Sequence, residues 1–165
     1  MIPNSVTSIG SYAFRDCSSL TSVTIGDSVI NIGKYAFEDC DSLTKVNYTG
    51  TIDKWVQIEF SGYYANPLQY AKNLYINGEL VTQANITTAT KINSYAFRNC
   101  KSLTSVVIGN SVKSISDAAF SGCYLLSNIV YKGSIKEFEA VKKSREGDYG
   151  APAVEVICTD GVIKL

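Results

Sequence analysis

The sequence has no histidine, and it has only one methionine, one tryptophan and three prolines among 165 residues. Histidine is the commonest general base and a leading metal ligand, so its absence excludes a Ser-His-Asp triad and the usual imidazole sites. A glycine-rich phosphate loop is missing as well. We therefore expect no enzymatic activity, no catalytic residues, no cofactor and no metal ligands.

An excess of charge of either sign is also missing, since lysine plus arginine and aspartate plus glutamate number 15 each. Nucleic-acid binders normally carry a basic excess, so we expect no nucleic-acid partner. No apolar run approaches the ~20 residues of a membrane helix, so we expect no membrane insertion. The hydrophobic content of 45% suits one ordered domain of ordinary size.

Close cysteine pairs are absent, although the chain has five cysteines. Zinc sites bring cysteines together in pairs such as C-x2-C. Four cysteines of this chain instead occur singly, each at the same position of a repeated segment. We expect those four to be buried core fillers: Cys17, Cys40, Cys100 and Cys123. A disulfide between neighbouring copies, such as Cys17 to Cys40, is the alternative. We expect Cys158, in the last hairpin, to be partly exposed.

What the chain does have is a repeat, because "SYAFRDCSSLTSV" recurs as "KYAFEDCDSLTKV", "SYAFRNCKSLTSV" and "DAAFSGCYLLSNI". Phe14 and Phe37 are 23 residues apart, and a period of this size signals a stacked array of coils. Val23 and Ile25 have strand spacing, and turn residues follow them. This pattern predicts that each unit forms a short strand followed by a compact return segment. The residues expected to be buried are Leu20, Val23, Leu43, Val46, Leu103, Val106, Leu126 and Ile129.

A second period of 83 residues relates Trp55 to Phe138 and divides the chain into modules 2–85 and 86–165. Each module holds two 23-residue units and one insert, at 48–84 and 131–165. Each insert closes with a hairpin signal, Asn77-Gly78 or Asp160-Gly161, for which we predict positive φ at both central residues. Trp55 is expected in the core.

The stretch "IPNSVTSIGSYAFRDCSSLTSVTIG" resembles the BspA-like class of leucine-rich repeats, whose units read Ile-Pro-x-x-Val-x-x-Ile-x-x-x-Ala-Phe-x-x-Cys-x-x-Leu. All four units share the resemblance. It implies an α/β-type repeat solenoid, right-handed, forming one domain over 1–165 with a parallel β-sheet on its concave face. It also implies a cell-surface or secreted protein of a host-associated bacterium or parasitic protozoan, with adhesion or partner binding as its role.

Two surfaces are candidates for ligand binding. The first is the outward side of the concave strands, where mostly small polar residues are expected: Ser22, Thr24, Lys45, Asn47, Ser105, Val107, Asn128 and Val130. The second is the aromatic loop of the first insert, with Tyr63, Tyr64 and Tyr70. Tyr63 and Tyr64 have no aromatic counterparts 83 residues later, which favours a surface role, although packing explains such tyrosines equally well.

Two functions fit these features. The first is a non-enzymatic module that binds a host protein or glycan, because stacked repeats build an extended surface. The second is a structural spacer with no ligand of its own. A patterned outward face would favour binding, and an unpatterned one would favour the spacer.

The ends of the sequence indicate a fragment. Met1 is followed at once by "IPNSV", without a signal peptide, and Ile2 occupies the position of the last inward residue of a strand. We therefore expect exposed coil edges and end-to-end self-association. An extracellular or cell-surface location follows from the family resemblance alone.

Overall fold

The structure is a computed structural model that describes residues 1–143 and 155–164. The insert 131–165 is therefore described in part. The elements in chain order are β1 (Ser8–Ile9), β2 (Ser22–Ile25), β3 (Asn31–Ile32), β4 (Lys45–Tyr48), α1 (Ile52–Trp55), β5 (Glu59–Phe60), a 3₁₀ turn (Tyr63–Ala65), α2 (Leu68–Ala71), β6 (Leu74–Ile76), β7 (Glu79–Leu80), β8 (Gln83–Ile86), β9 (Lys91–Ile92), β10 (Ser105–Ile108), β11 (Ser114–Ile115), β12 (Asn128–Tyr131), α3 (Ile135–Ala140), β13 (Lys142–Lys143), β14 (Glu155–Cys158) and β15 (Gly161–Lys164).

The chain winds in coils that have three walls around one apolar core. The strands of three or four residues, together with the short strand β7, form two wide sheets, with strand orders β2-β4-β6-β7 and β15-β14-β12-β10-β8. The other two-residue strands form two narrow sheets, β1-β3-β5 and β13-β11-β9. The third side, which we call the turn wall, consists of the stacked segments 10–20, 33–43, 62–72, 93–103 and 116–126. All pairs except β6–β7 and β14–β15 are parallel.

The wide sheet is interrupted, although the sequence predicts one parallel sheet. Strand β7 folds back antiparallel on β6, with Ile76 opposite Glu79, and so occupies the edge of β6 that the next coil would use. Strand β8 therefore begins a second sheet by pairing with β10. The first insert itself forms a complete coil, because β5 joins the narrow sheet and β6 joins the wide sheet.

The turn wall continues across this interruption through backbone hydrogen bonds between coils. Phe14 N donates to Ala36 O at 2.8 Å, and Phe97 N donates to Ala119 O at 2.8 Å. Phe37 N donates to Tyr64 O at 3.1 Å, which joins the second coil to the insert, and Lys101 N donates to Lys72 O at 2.8 Å, which joins the insert to the third regular coil. Each regular coil also places two turn residues at left-handed φ; the eight are Tyr12, Asp16, Tyr35, Asp39, Tyr95, Asn99, Ala118 and Gly122. Aspartate, asparagine and glycine suit that conformation, which explains Asp16, Asp39, Asn99 and Gly122 at these positions.

The repeated cysteines belong to the core. The Cys40 thiol donates to Phe14 O at 3.1 Å, and the Cys123 thiol donates to Phe97 O at 3.0 Å. Burial raises the pKa of Cys40 to about 11, with a further contribution from Cys17. All five cysteines are free thiols, and Cys40, Cys100 and Cys123 are buried as predicted. Cys158 is also buried, with 8% of its surface exposed, so the expectation of partial exposure is wrong.

The first coil is less buried than the sequence predicts. Leu20 and Cys17 are only partly buried, whereas Leu43 is 1% exposed and Leu103 is fully buried. The reason is that the first coil packs against a neighbour on one side only, and on its other side Ile2 alone bridges to Ile25. The other residues predicted to be buried are buried, and so is Trp55.

The two hairpins differ, although the sequence predicts the same turn in both. Asn77 and Gly78 have φ of 51° and 89°, as predicted. In the second hairpin Cys158 lies opposite Gly161, so the turn residues are Thr159 and Asp160, neither of which has positive φ. The turn thus lies one residue earlier than predicted, and Asp160 Oδ1 accepts a 2.7 Å hydrogen bond from Ile135 N, at the start of α3.

Substitution of leucine by alanine should be costly in an inner coil and less so in the first coil. We expect Leu43→Ala to lower the free energy of unfolding by about 2–5 kcal/mol, because it leaves a cavity in a closed core. Leu20→Ala should cost clearly less, since its side chain is already partly solvated. Urea unfolding of both variants measures the difference, and equal losses would contradict this account of the first coil.

Thiol reactivity should follow burial. In the native protein we expect Cys17 to react fastest with a thiol-specific reagent at pH 8, because the thiolate is the reactive species and burial suppresses it at Cys40, Cys100 and Cys123. Cys17→Ser should remove the fast phase, and unfolding in urea should release the remaining thiols. Rapid labelling of Cys40 in the folded protein would contradict the packing described.

Candidate binding surfaces

The first candidate surface is the outer sheet face, which we define as the side of the two wide sheets turned away from the core. Every residue predicted for this surface lies there, on β2, β4, β10 or β12. Strand pairing places Thr24 beside Asn47 and Val107 beside Val130. The interruption at β7 separates these two pairs into different sheets, so the eight predicted residues do not form one continuous surface.

Hairpin strands add residues to this face that the sequence analysis missed. Tyr75 lies beside Asn47 on the first sheet, and Ile157 lies beside Val130 on the second. Strand alternation in "LYI" and "EVIC" carries the signal for both positions.

The second sheet carries an apolar row across four strands, formed by Val107, Val130, Ile157 and Val162. Ile157 is 43% exposed and Val162 is 51% exposed. Asn85 lies beside Val107 and ends the row on a polar residue. The outer sheet face is therefore patterned, with an apolar row on the second sheet, although mostly small polar residues were expected.

On the first sheet, the outward side chains of Lys45 and Asn47 contact the neighbouring hairpin. The Lys45 ammonium lies 4.5 Å from the centroid of the Tyr75 ring. Asn47 Oδ1 accepts a 2.7 Å hydrogen bond from Gly78 N, in the turn of the hairpin. These side chains bind the hairpin to the sheet, which leaves less of their polar surface available to a partner.

The second candidate surface is the aromatic loop of the first insert, where the chain crosses the turn wall. Gly62, with φ of 143°, opens the 3₁₀ turn, and Lys72 ends α2 in the left-handed conformation. Between them lies Asn66, which is fully buried. Its Nδ2 donates to Tyr95 O at 2.7 Å, and its Oδ1 accepts from Leu68 N at 2.8 Å. A single buried amide thus fixes the loop against the next coil.

Helix α1 attaches the same insert to the second module. Trp55 Nε1 donates to Ala96 O at 2.8 Å. Asp53 Oδ1 accepts hydrogen bonds from three successive backbone N–H groups, those of Thr87, Thr88 and Ala89, at 2.8–2.9 Å. Burial by itself would raise the pKa of Asp53, but these hydrogen bonds outweigh it and lower the pKa below its usual value.

The loop brings tyrosines from several coils into one ladder along the turn wall. Neighbouring ring centroids lie between 4.2 and 6.5 Å apart. The members of this tyrosine ladder, in spatial order, are Tyr12, Tyr35, Tyr64, Tyr63 and Tyr95. Cations lie over three of the rings: Arg15 over Tyr12, Lys34 over Tyr35 and Arg98 over Tyr63.

Tyr70 is the one predicted loop tyrosine outside this ladder. It is partly buried, and its hydroxyl accepts a 2.8 Å hydrogen bond from Asp39 N in the turn of the second coil. The structure therefore gives Tyr70 a packing contact, whereas Tyr63 is 41% exposed and lies beside Tyr64.

These surfaces offer contact area and charge rather than reactive groups. Within 1–143 and 155–164, no cluster of three or more histidine, cysteine, aspartate or glutamate residues could hold a metal ion. Among the same residues, no helix has the length and apolar character needed to cross a membrane.

Comparison with known families gives one match. The sequence profile described as the BspA type leucine-rich repeat region (6 copies) matches the chain over residues 1–87 and 69–141. Together with the coiled parallel sheets, this match confirms the fold class expected from the sequence. No curated protein matches the chain significantly.

Two solved structures are similar to the chain. A leucine-rich cell surface protein from Faecalibacterium prausnitzii A2-165 is 29% identical with a TM-score of 0.48, and the match covers 86% of this chain and 34% of that protein. A leucine-rich repeat protein of T. pallidum is 20% identical with a TM-score of 0.41, covering 89% of this chain and 72% of that protein. The chain thus spans about a third of the F. prausnitzii protein.

Neutralising Asp53 should destabilise the junction between the modules in a pH-dependent way. Because folding lowers the pKa of Asp53, its contribution is present above the unfolded pKa of about 3.9 and is lost as pH falls through the folded value. We expect Asp53→Asn to lower the free energy of unfolding by roughly 1–2 kcal/mol at pH 7 and by less near pH 3. Urea unfolding at both pH values measures this. The exposed Asp41→Asn is the control, and a cost for Asp53→Asn that did not change with pH would contradict the prediction.

Proposed function

Because the chain belongs to the BspA-type leucine-rich repeat family, we propose that it is a non-enzymatic interaction module that binds a protein partner through its outer sheet face. The observation that supports this function is the apolar row. Val107, Val130, Ile157 and Val162 lie side by side across four strands on the outward side of the second sheet. A spacer needs no such row, because its outward face serves only solubility.

The surroundings of the row resemble the anatomy of a protein interface. Apolar residues occupy the centre, and polar residues flank them on the same strands, with Ser105 beside Asn128 and Asn85 at the end of the row. Protein interfaces combine a desolvated apolar centre with a polar rim. Aliphatic side chains have neither hydrogen-bonding groups nor aromatic rings, so on this face a protein is a better partner than a glycan.

The chemistry of the cysteines favours binding over catalysis. A nucleophilic cysteine needs a lowered pKa and an accessible position. Burial instead raises the pKa of the Cys40 thiol to about 11, and it also raises the pKa of Cys100 and Cys123. With no histidine to serve as a base, the groups that recur in every coil are suited to packing.

A location at the cell surface or outside the cell fits this role. The F. prausnitzii protein to which the chain is similar is described as a cell surface protein, and an exposed binding face is useful where partners are extracellular. In that setting the partner is a protein of the host surface or matrix. A small binding face per chain would be compensated by repetition of such modules.

Substitution of the apolar row should abolish binding. The chain is immobilised and tested by surface plasmon resonance against a panel of purified extracellular matrix proteins. In the variant Val107→Thr, Val130→Thr, Ile157→Thr and Val162→Thr the strands keep their β-branched character, while the row becomes polar. We expect at least ~10-fold weaker binding, because each member loses apolar contact area.

Ile30→Thr is the matched control, because Ile30 is 67% exposed but lies outside the wide sheets. It should bind as the parent chain does. Binding that survives substitution of the whole row would place the interaction elsewhere. Failure of the parent chain to bind any protein of the panel would favour the structural spacer.

A further inference from the structure

A depression in the turn wall lies beside the tyrosine ladder, on a different wall from the outer sheet face. Its volume is about 240 Å³, and the residues that line it are Lys34, Tyr35, Glu38, Gly62, Tyr63 and Tyr64. A Cβ atom added to Gly62 would meet nothing within 4 Å. This volume matches one sugar ring better than a folded protein segment.

The walls of the depression are amphipathic. Tyr35, Tyr63 and Tyr64 offer aromatic carbon together with phenolic hydroxyls. The C–H bonds of a pyranose ring are weakly positive and are attracted to the negative face of an aromatic ring, while its hydroxyls pair with polar groups at the rim. Tyr63, 41% exposed, is the most accessible of the three.

Lys34, the cation that lines the depression, has no carboxylate partner within the described residues. Lys34 is exposed and contacts the ring of Tyr35, with its Nζ 4.8 Å from the ring centroid, but it makes no ion pair among 1–143 and 155–164. Glu38 is paired instead with Arg15, at 2.9 Å. The charge of Glu38 is thus offset from outside the depression, which leaves Lys34 available to an anion.

Positive charge continues past Tyr63 onto the next coil. The Arg98 guanidinium lies 5.1 Å from the Tyr63 ring centroid, and its buried Nε has no hydrogen-bond partner. Lys72 and Lys101 lie near enough to repel one another: burial lowers the pKa of Lys72, and Lys101 and Arg98 lower it further. None of these three cations forms an ion pair within the described part of the chain.

We propose that this part of the turn wall, from Lys34 past Tyr63 to Arg98, binds an acidic glycan whose sugars carry carboxylate or sulfate groups. One sugar ring occupies the depression against Tyr63 and Tyr64, and its anionic group pairs with the Lys34 ammonium. The neighbouring sugar extends over Tyr63 and places its anionic group at Arg98. The site is independent of the proposed protein-binding face, because it lies on another wall of the coil.

The combination of groups selects this ligand over two others. A neutral glycan would use the tyrosines but leave Lys34 and Arg98 without counter-charge. A peptide of glutamate or aspartate would pair with the cations but has no ring with C–H groups to fill the depression. Of these three ligands, the acidic sugar is the one that matches both features.

The test measures binding of fluorescent oligosaccharides to the whole chain by anisotropy at low salt. The probes are a heparin hexasaccharide (sulfate and carboxylate), an oligogalacturonate (carboxylate only), a cello-oligosaccharide (neutral) and a polyglutamate peptide. We expect one or both acidic glycans to bind, and their order identifies the preferred anionic group. Lys34→Gln, Arg98→Gln and Tyr63→Ala should each weaken binding at least ~5-fold, and added salt should weaken it further.

Controls separate this site from other causes of binding. Tyr124→Ala removes a 73% exposed tyrosine from another coil of the turn wall, and Lys136→Gln removes an exposed lysine of α3. Both, like the variant with a polar row on the outer sheet face, should bind the glycan as the parent chain does. Equal binding of the neutral glycan or of polyglutamate, full binding by the three site variants, or no binding of either acidic glycan would overturn the proposal. None of these results bears on the outer sheet face.

Discussion

The hydrogen bond that joins one turn segment to the next is the interaction on which the rest of the structure depends. Phe14 N reaches Ala36 O, and Phe97 N reaches Ala119 O, so the two regular coils of each module are attached at the same register. That register brings the phenylalanines into stacks, with Phe14 and Phe37 centroids 5.1 Å apart. The cysteine and leucine of each unit follow the phenylalanine into the core because their spacing from it is constant.

The wide sheets are less continuous than the turn wall, and this difference determines where the surfaces lie. The antiparallel strand β7 blocks the edge of β6, whereas Asn66 and Trp55 carry the turn wall and the core across the same position. The apolar row is consequently confined to the second sheet. The tyrosine ladder, by contrast, crosses from the first module into the second, where Tyr63 meets Tyr95.

The two surfaces suit different partners because their side chains differ in kind. The row on the second sheet is aliphatic and lacks charge, as a protein contact requires at its centre. The depression on the turn wall combines tyrosines with Lys34 and with Glu38, which pairs with Arg15, and Arg98 lies beside it over Tyr63. Neither Lys34 nor Arg98 forms an ion pair within the described residues. A chain of net charge zero can therefore still present a locally positive surface, because its acids and bases are distributed over different coils.

The sequence alone determined the coil, its 23-residue period and its core, because the spacing of Phe14, Cys17 and Leu20 recurs and packing constrains every copy in the same way. It also determined that the outward strand residues and Tyr63 were the places to look for a ligand. The tertiary structure decided the features that depend on contacts between distant residues. Examples are the break at β7, the shifted hairpin held by Asp160, the place of Ile157 beside Val130, and the meeting of Tyr63 with Arg98. Local patterns predict the hairpins and the outward side of each strand, but which distant residues meet depends on how hairpins and coils pack against one another.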